Sequence, residues 1–216
     1  MKYIIGDIFK SFCDLNNTVP FSALKAKNVN LEKYNLGQGL TLNEINNLLK
    51  HKLFNNNFNK VDLASTHKHK HKNSLILNFC SHDDSFFTSD MYIHGDNDLL
   101  MDHLTGMHIP GIALIEAARE FFIVSLSYIG YGEYRFILKD IQSNFIYYIF
   151  PIEINLSINI KCIKESKQEK EFEATIKFHQ QGKKCAECTI SASLLPEKLA
   201  MFSERISAQQ LNLLEG

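Results

Sequence analysis

The chain contains no tryptophan and few prolines, it has five cysteines in 216 residues, and its 23 basic and 24 acidic residues nearly cancel. Each shortage excludes something. Without a net charge no global field draws in nucleic acid or an anionic membrane, so neither partner is expected and recognition must come from a local site. No stretch approaches the ~20 apolar residues that would span a bilayer. The opening MKYIIGDIFKSF meets Asp7 and Lys10 too early for a secretory core. A soluble, cytoplasmic protein is expected. The odd set Cys13, Cys80, Cys162, Cys185 and Cys188 argues against a disulfide framework. Cys185 and Cys188 form a C-x-x-C, but strand alternation puts them on opposite faces, whereas zinc and redox pairs sit on turns or helix starts. His67, His69 and His71 alternate with lysines, with no acid or cysteine cluster nearby to complete a shell. They read as a solvated basic turn, and neither a metal nor a cofactor is expected.

What is present is a hydrophobic fraction of 45%, enough for one sizeable core or for one domain of ~100 to 150 residues with an extension. The second half of the chain reads as antiparallel sheet. Ile154, Leu156, Ile158, Ile160 and Cys162 alternate with polar residues, as do Phe172, Ala174, Ile176 and Phe178, and then Ala186, Cys188, Ile190, Ala192 and Leu194. This is the period of half-buried strands. Short polar connectors around Ser166 and Gly182 make the three a meander. Upstream, YRFILKDIQSNFIYYIF from Tyr134 to Phe150 is apolar with weaker alternation, which predicts one long bent strand or two short ones buried on both faces. SLILNFC and SFFTSDMYIH are further strand candidates.

Between them lies a segment starting near Pro110 and spent by Gly130 and Gly132, apolar almost all round, and so a buried helix. The order of strands, buried helix and meander implies an α+β fold in which a sheet curls around a central helix. Residues 1–65 stand outside that pattern as an N-terminal, partly helical extension. There TLNEINNLLKHKL offers Thr41 as N-cap with Glu44 three residues later. A core domain over 66–195 and a helical tail over 196–216 complete the division.

The chemistry concentrates in DHLTGMHIPGIALIEAARE, Asp102 to Glu120. An ionised Glu116 alone in an apolar helix would cost several kcal/mol, so it is neutral, paired, or open to a pocket. A carboxyl with a raised pKa suits general acid or base work near neutrality. The alternative is a structural pair with Arg119 at i+3, or a hydrogen bond to His103 or His108. Gly111 and Ile112 present backbone N–H groups at a helix start, suited to a carbonyl that develops negative charge, or they are an ordinary helix start. Arg119 suits a phosphate, or it neutralises Glu116 or Glu120. Asp102 either orients His103 or caps the turn.

The same stretch resembles the helix segment of the A-factor biosynthesis (AfsA-like) hotdog family, whose motif runs D-H, a short spacer, H-x-P-G, four apolar residues and E-A-A-R-Q. Asp102, His103, His108, Pro110, Gly111, Glu116, Ala117, Ala118 and Arg119 match; the chain departs at Glu120, where the family usually has glutamine, and in spacer length. A second block, HKHKHKNSLIL, is similar to the family's opening segment through His67, Lys68, Asn73, Leu75 and Ile76. The resemblance implies a hotdog fold acting on thioesters of acyl carrier protein or coenzyme A, with acyl transfer to a small hydroxyl acceptor as in butyrolactone biosynthesis. In such an enzyme Glu116 and His103 are expected as the catalytic pair, and Gly111, Ile112, Arg119, Asp102 and His108 as substrate-binding residues. Family enzymes carry two such domains; this chain has one, so a homodimer with the site at its interface is expected. More distantly, the Pro110 to Glu116 spacing is similar to that of β-hydroxyacyl-carrier-protein dehydratases. Dehydration, thioester hydrolysis and non-catalytic acyl binding remain the alternatives.

Overall fold

The computed structural model describes residues 2–14, 17–24, 33–50, 58–99 and 106–211. Its centre is helix α2, which the strands enclose. In chain order the elements are β1 (Lys2–Ile5), β2 (Thr18–Pro20), β3 (Tyr34–Leu36), α1 (Leu42–Lys50), β4 (Ile76–Ser81), β5 (Phe86–Met91), α2 (Gly111–Leu126), β6 (Tyr134–Phe145), β7 (Asn155–Glu165), β8 (Lys170–Gln180), β9 (Lys183–Pro196) and α3 (Glu197–Gln210). Strands β4 to β9 form one six-stranded sheet in the order β4-β5-β7-β8-β9-β6, every pairing antiparallel.

The alternating sequences become β7, β8 and β9, neighbours in register from Leu156↔Phe178 to Phe178↔Ala186. Their inward residues, Leu156, Ile158, Phe172, Ile176, Phe178, Cys188 and Ile190, meet Ala113, Ala117, Phe121 and Phe122 of α2 in one buried core. This is the hotdog architecture, a sheet wrapped on a helix. Helix α2 buries eleven of its sixteen residues, and it ends in a π-helical turn at Ser127–Tyr131 where Gly130 takes a positive φ. Cys185 and Cys188 lie buried and free on β9.

The Tyr134–Phe150 stretch corrects the expectation. Strand β6 is a single twelve-residue strand, but it is the sheet edge, paired only with β9 within the sheet. It is not buried on both faces. Leu138, Phe145, Ile146, Tyr147 and Tyr148 are exposed, and among the described residues no strand pairs with the outer side of β6.

The N-terminal segment is packed onto this body. Tyr3, Ile5, Phe9 and Phe12 belong to the same core as the large sheet, while β1 is flanked by β2 and β3 in a small parallel sheet. Gly6 makes the junction possible: a Cβ there would fall 1.6 Å from the carbonyl oxygen of Gly39. Helix α1 carries the expected reciprocal cap, with Glu44 N–H donating to Thr41 Oγ1 at 3.2 Å and Thr41 N–H to Glu44 Oε2 at 2.8 Å. Gln38, almost fully buried, ties this segment to the sheet. Its Nε2 donates to the carbonyls of Met91 and Ile152 at 3.0 and 3.1 Å, and its Oε1 accepts from Ile93 N–H at 2.7 Å. The tail forms α3, which buries Ala200 and is pinned by the Arg135–Glu197 ion pair.

Candidate functional site

Helix α2 is buried except along one stripe. Ile112 is exposed, and Ile115, Glu116 and Arg119 are half-buried, positions that share one face at helical spacing. The carboxylate of Glu116 is the centre of a cluster. Arg119 grips it as a fork, Nε to Oε2 and Nη2 to Oε1, both at 2.8 Å. Lys68 Nζ donates to Oε1 from the segment before β4. The three side chains are 22%, 25% and 8% exposed for Glu116, Arg119 and Lys68, so Lys68 is nearly removed from water and its partner is needed.

This overturns the raised pKa expected for Glu116. Burial pushes its carboxyl up, but the hydrogen bonds from Arg119 and then Lys68 outweigh it and hold the group below its ordinary value. Of the three states open to this glutamate, the structure shows the paired one. The buried glutamate is Glu120, one turn further on. It is fully buried and accepts from Ser74 Oγ at 2.5 Å and from Leu75 N–H at 3.0 Å. Burial raises its pKa to about 7 against these hydrogen bonds, with Glu116 adding to the rise. The folded state therefore keeps a proton on Glu120 that an unfolded chain gives up above about 4.5. The stability from this carboxyl is complete below that value and is lost as pH rises through about 7. Glu116 behaves oppositely, and its contribution is lost as pH falls below the ordinary carboxylate range.

The two sequence blocks thus meet in space. The HKHKHKN segment is held on both sides: Lys68 by Glu116, and Lys70, Lys72 and Asn73 by the carboxylate of Asp98. Asp98 N–H returns a bond to Asn73 Oδ1 at 2.8 Å. His67 stands in a left-handed turn; partial desolvation of its ring lowers its pKa, with Arg119 and Arg135 adding to the effect. Lys68, Ser74 and Glu120 were not identified as site residues from sequence. The signal for Lys68 was its place in the second motif, and for Glu120 its departure from the first.

Gly111 and Ile112 open the helix, about 6 to 7.5 Å along the axis from Glu116. The N-cap residue Pro110 has no side-chain hydrogen bond to offer this end, and the Phe145 ring lies over Gly111, where an added Cβ would come within 3.1 Å of Cζ. His108 precedes the helix with its ring 4.9 Å from that of Tyr148. Glu116 and Arg119 are in direct contact, Gly111, Ile112 and His108 lie at the adjoining helix start, and Asp102 and His103 fall outside the described residues. A cleft of about 350 Å³ lined by Gln38, Phe58, Asp90, Tyr92 and Glu153, among others, includes none of these residues.

A family model described as the A-factor biosynthesis hotdog domain matches residues 51–196, more than half of the chain. The chain belongs to that family. This hotdog spans β4 to β9, together with the helix and both motif blocks. No curated protein matches the chain. Among solved structures, a putative thioesterase from Lactococcus lactis is 18% identical over 60% of this chain and 99% of that one, with a TM-score of 0.46. A thioesterase from Haemophilus influenzae is 13% identical over 65% and 93%, also at 0.46. A hypothetical thioesterase protein with coenzyme A from Streptococcus pneumoniae is 9% identical over 54% and 86%, at 0.39. No helix among the described residues is long and apolar enough to cross a membrane.

Proposed function

We propose that this hotdog acts on acyl thioesters and transfers the acyl group from an acyl carrier protein or coenzyme A to a small phosphorylated hydroxyl acceptor. The observation that carries the reading is the convergence of two cations, Lys68 and Arg119, on one carboxylate of the helix that Gly111 and Ile112 open. The cluster has an excess of positive charge on the open stripe of α2, which suits a phosphate. The N–H groups of Gly111 and Ile112 would take the thioester carbonyl, where the helix dipole favours the negative charge of a tetrahedral intermediate.

Glu116 is a weak base while both cations hold it. When an acceptor phosphate competes for Lys68 and Arg119, their grip on Glu116 loosens and its basicity returns toward that of an ordinary carboxylate. The acceptor hydroxyl then attacks the thioester carbon, its proton passes to Glu116, the carbon–sulfur bond breaks, and the proton leaves with the thiol. His103 completes the catalytic pair in this reading, and Asp102 and His108 border the substrate.

The test is incubation with β-ketoacyl and β-hydroxyacyl thioesters of carrier protein and coenzyme A, with and without dihydroxyacetone phosphate, read by intact mass. Acyl loss from the carrier that depends on the acceptor, with the acyl ester of the acceptor as product, is expected. Acceptor-independent hydrolysis, loss of one water from the hydroxyacyl substrate, or no change would each overturn acyl transfer.

The same reading makes the working unit a homodimer. Strand β6 is the edge of the sheet and exposes Leu138, and Phe145 to Tyr148 form an exposed apolar run at the helix start, where the Phe145 ring lies over Gly111. Such an edge is a template for another strand. Light scattering at tens of micromolar, roughly where a specific interface holds, is expected to give twice the chain mass. A monomer at that concentration would reject this assembly.

A further inference from the structure

Glu120 has no part in the chemistry above, yet it is the fully buried carboxyl of α2, and its two oxygens are both engaged by the chain that delivers Lys68. Ser74 Oγ and Leu75 N–H reach it at 2.5 and 3.0 Å. Ser74 itself is fixed to the preceding turn, His71–Asn73, by its N–H to the carbonyl of His71 at 3.1 Å, and His71 is three residues after Lys68. The charged groups that act on Glu120 are Lys68 from this segment and Glu116 from its own helix, while Glu120 in turn acts on Arg119. The core around α2 is otherwise built from the apolar side chains of the sheet and the N-terminal segment.

We propose that Glu120 is a positioning residue for the Lys68–Glu116–Arg119 cluster: from inside the core it grips Ser74 and Leu75, so fixing the segment that lays Lys68 on Glu116, and by gaining or losing its proton it sets the charge against which Lys68 and Arg119 act. The neutral form donates its proton to Ser74 Oγ and still accepts from Leu75 N–H. The ionised form accepts from both and adds a second carboxylate that competes with Glu116 for Lys68. An amide in the same place would keep the grip and lose the charge.

The test uses the full chain with ¹³C-labelled glutamate side chains, the Glu116 and Glu120 signals being assigned by their loss in Glu116→Gln and Glu120→Gln. In the unaltered protein the Glu116 signal should show its own step below the ordinary carboxylate range and a second, smaller displacement near pH 7, where Glu120 ionises. Glu120→Gln should keep the first and remove the second. Glu120→Met, which lacks both acceptors, should move the first step upward and lower the exchange protection of the Leu75 amide by at least about tenfold, the equivalent of one lost hydrogen bond. Persistence of the displacement near pH 7 in Glu120→Gln would overturn the charge role. An unchanged Glu116 step with an unchanged Leu75 amide in Glu120→Met would overturn the grip. If Glu120→Met does not fold, Glu120→Gln alone still decides the charge role.

The link to turnover rests on the proposed acyl transfer: KM for the phosphorylated acceptor should rise above pH 7 in the unaltered protein more than in Glu120→Gln, with kcat changing less. Equal KM profiles would overturn that link. A protein with no transfer activity would reject the functional reading while the carboxyl titrations still decide the role of Glu120.

Discussion

Glu116→Gln is expected to remove thioester turnover by roughly 100- to 10,000-fold, the usual range for loss of a positioned general base. It is also expected to lower stability by about 2 kcal/mol. The second effect follows from the cluster. Without the carboxylate, Arg119 and the nearly buried Lys68 face each other with no counter-charge, and breaking a fully buried pair costs about 3 to 5 kcal/mol. Partial exposure of Glu116 and Arg119 reduces that figure. Single-turnover rate and melting temperature should be read on the same preparations, well below the transition. A folded Glu116→Gln protein with undiminished turnover would remove Glu116 from the chemistry and leave it as the counter-ion of two cations. Adding Lys68→Met to Glu116→Gln should restore part of the lost stability, because it deletes one of the unpaired charges.

Gln38→Ala should be destabilising by roughly 3 kcal/mol, since it strips partners from buried backbone groups that each cost about 1 to 3 kcal/mol when left unsatisfied. Three groups depend on this amide: the carbonyls of Met91 and Ile152 and the N–H of Ile93. They lie at the end of β5 and in the approach to β7, so the loss falls where the N-terminal segment meets the sheet. A lower urea midpoint with an unchanged m-value is the expected signature. A loss below about 1 kcal/mol would mean that water or a rearranged backbone replaces the amide.

Much of this architecture was legible because it is local. Period-2 alternation over Ile154 to Leu194 is carried by each strand alone, and short connectors force the β7-β8-β9 pairing. The cap of α1 needs only residues three apart. What failed was the part decided at a distance. An edge strand and an interior strand share the same side-chain period, so the apolar run from Tyr134 to Phe150 did not reveal that the outer side of β6 is open. The two glutamates of α2 are one turn apart in the same apolar helix. Which one is paired and which one is buried depends on Lys68 and Ser74, far upstream, and a helical wheel holds no record of them. The pairing of Glu116 with Arg119 was readable from i, i+3 spacing, whereas the role of Gln38 carries no pattern at all.

The strand order also sets how this chain must assemble in time. The hairpins β7-β8 and β8-β9 close over short turns, but β5 must find β7 across the whole of α2 and β6, pairing Phe86 with Asn159. Likewise β6 must wait for β9, from Tyr134 to Pro196. Closing such loops costs entropy before any contact repays it, so the three-stranded meander should form early and the outer strands dock late. Folding is then expected on a scale of milliseconds to seconds. Substitutions in β8 should slow refolding, while those in β4 or β6 should chiefly speed unfolding.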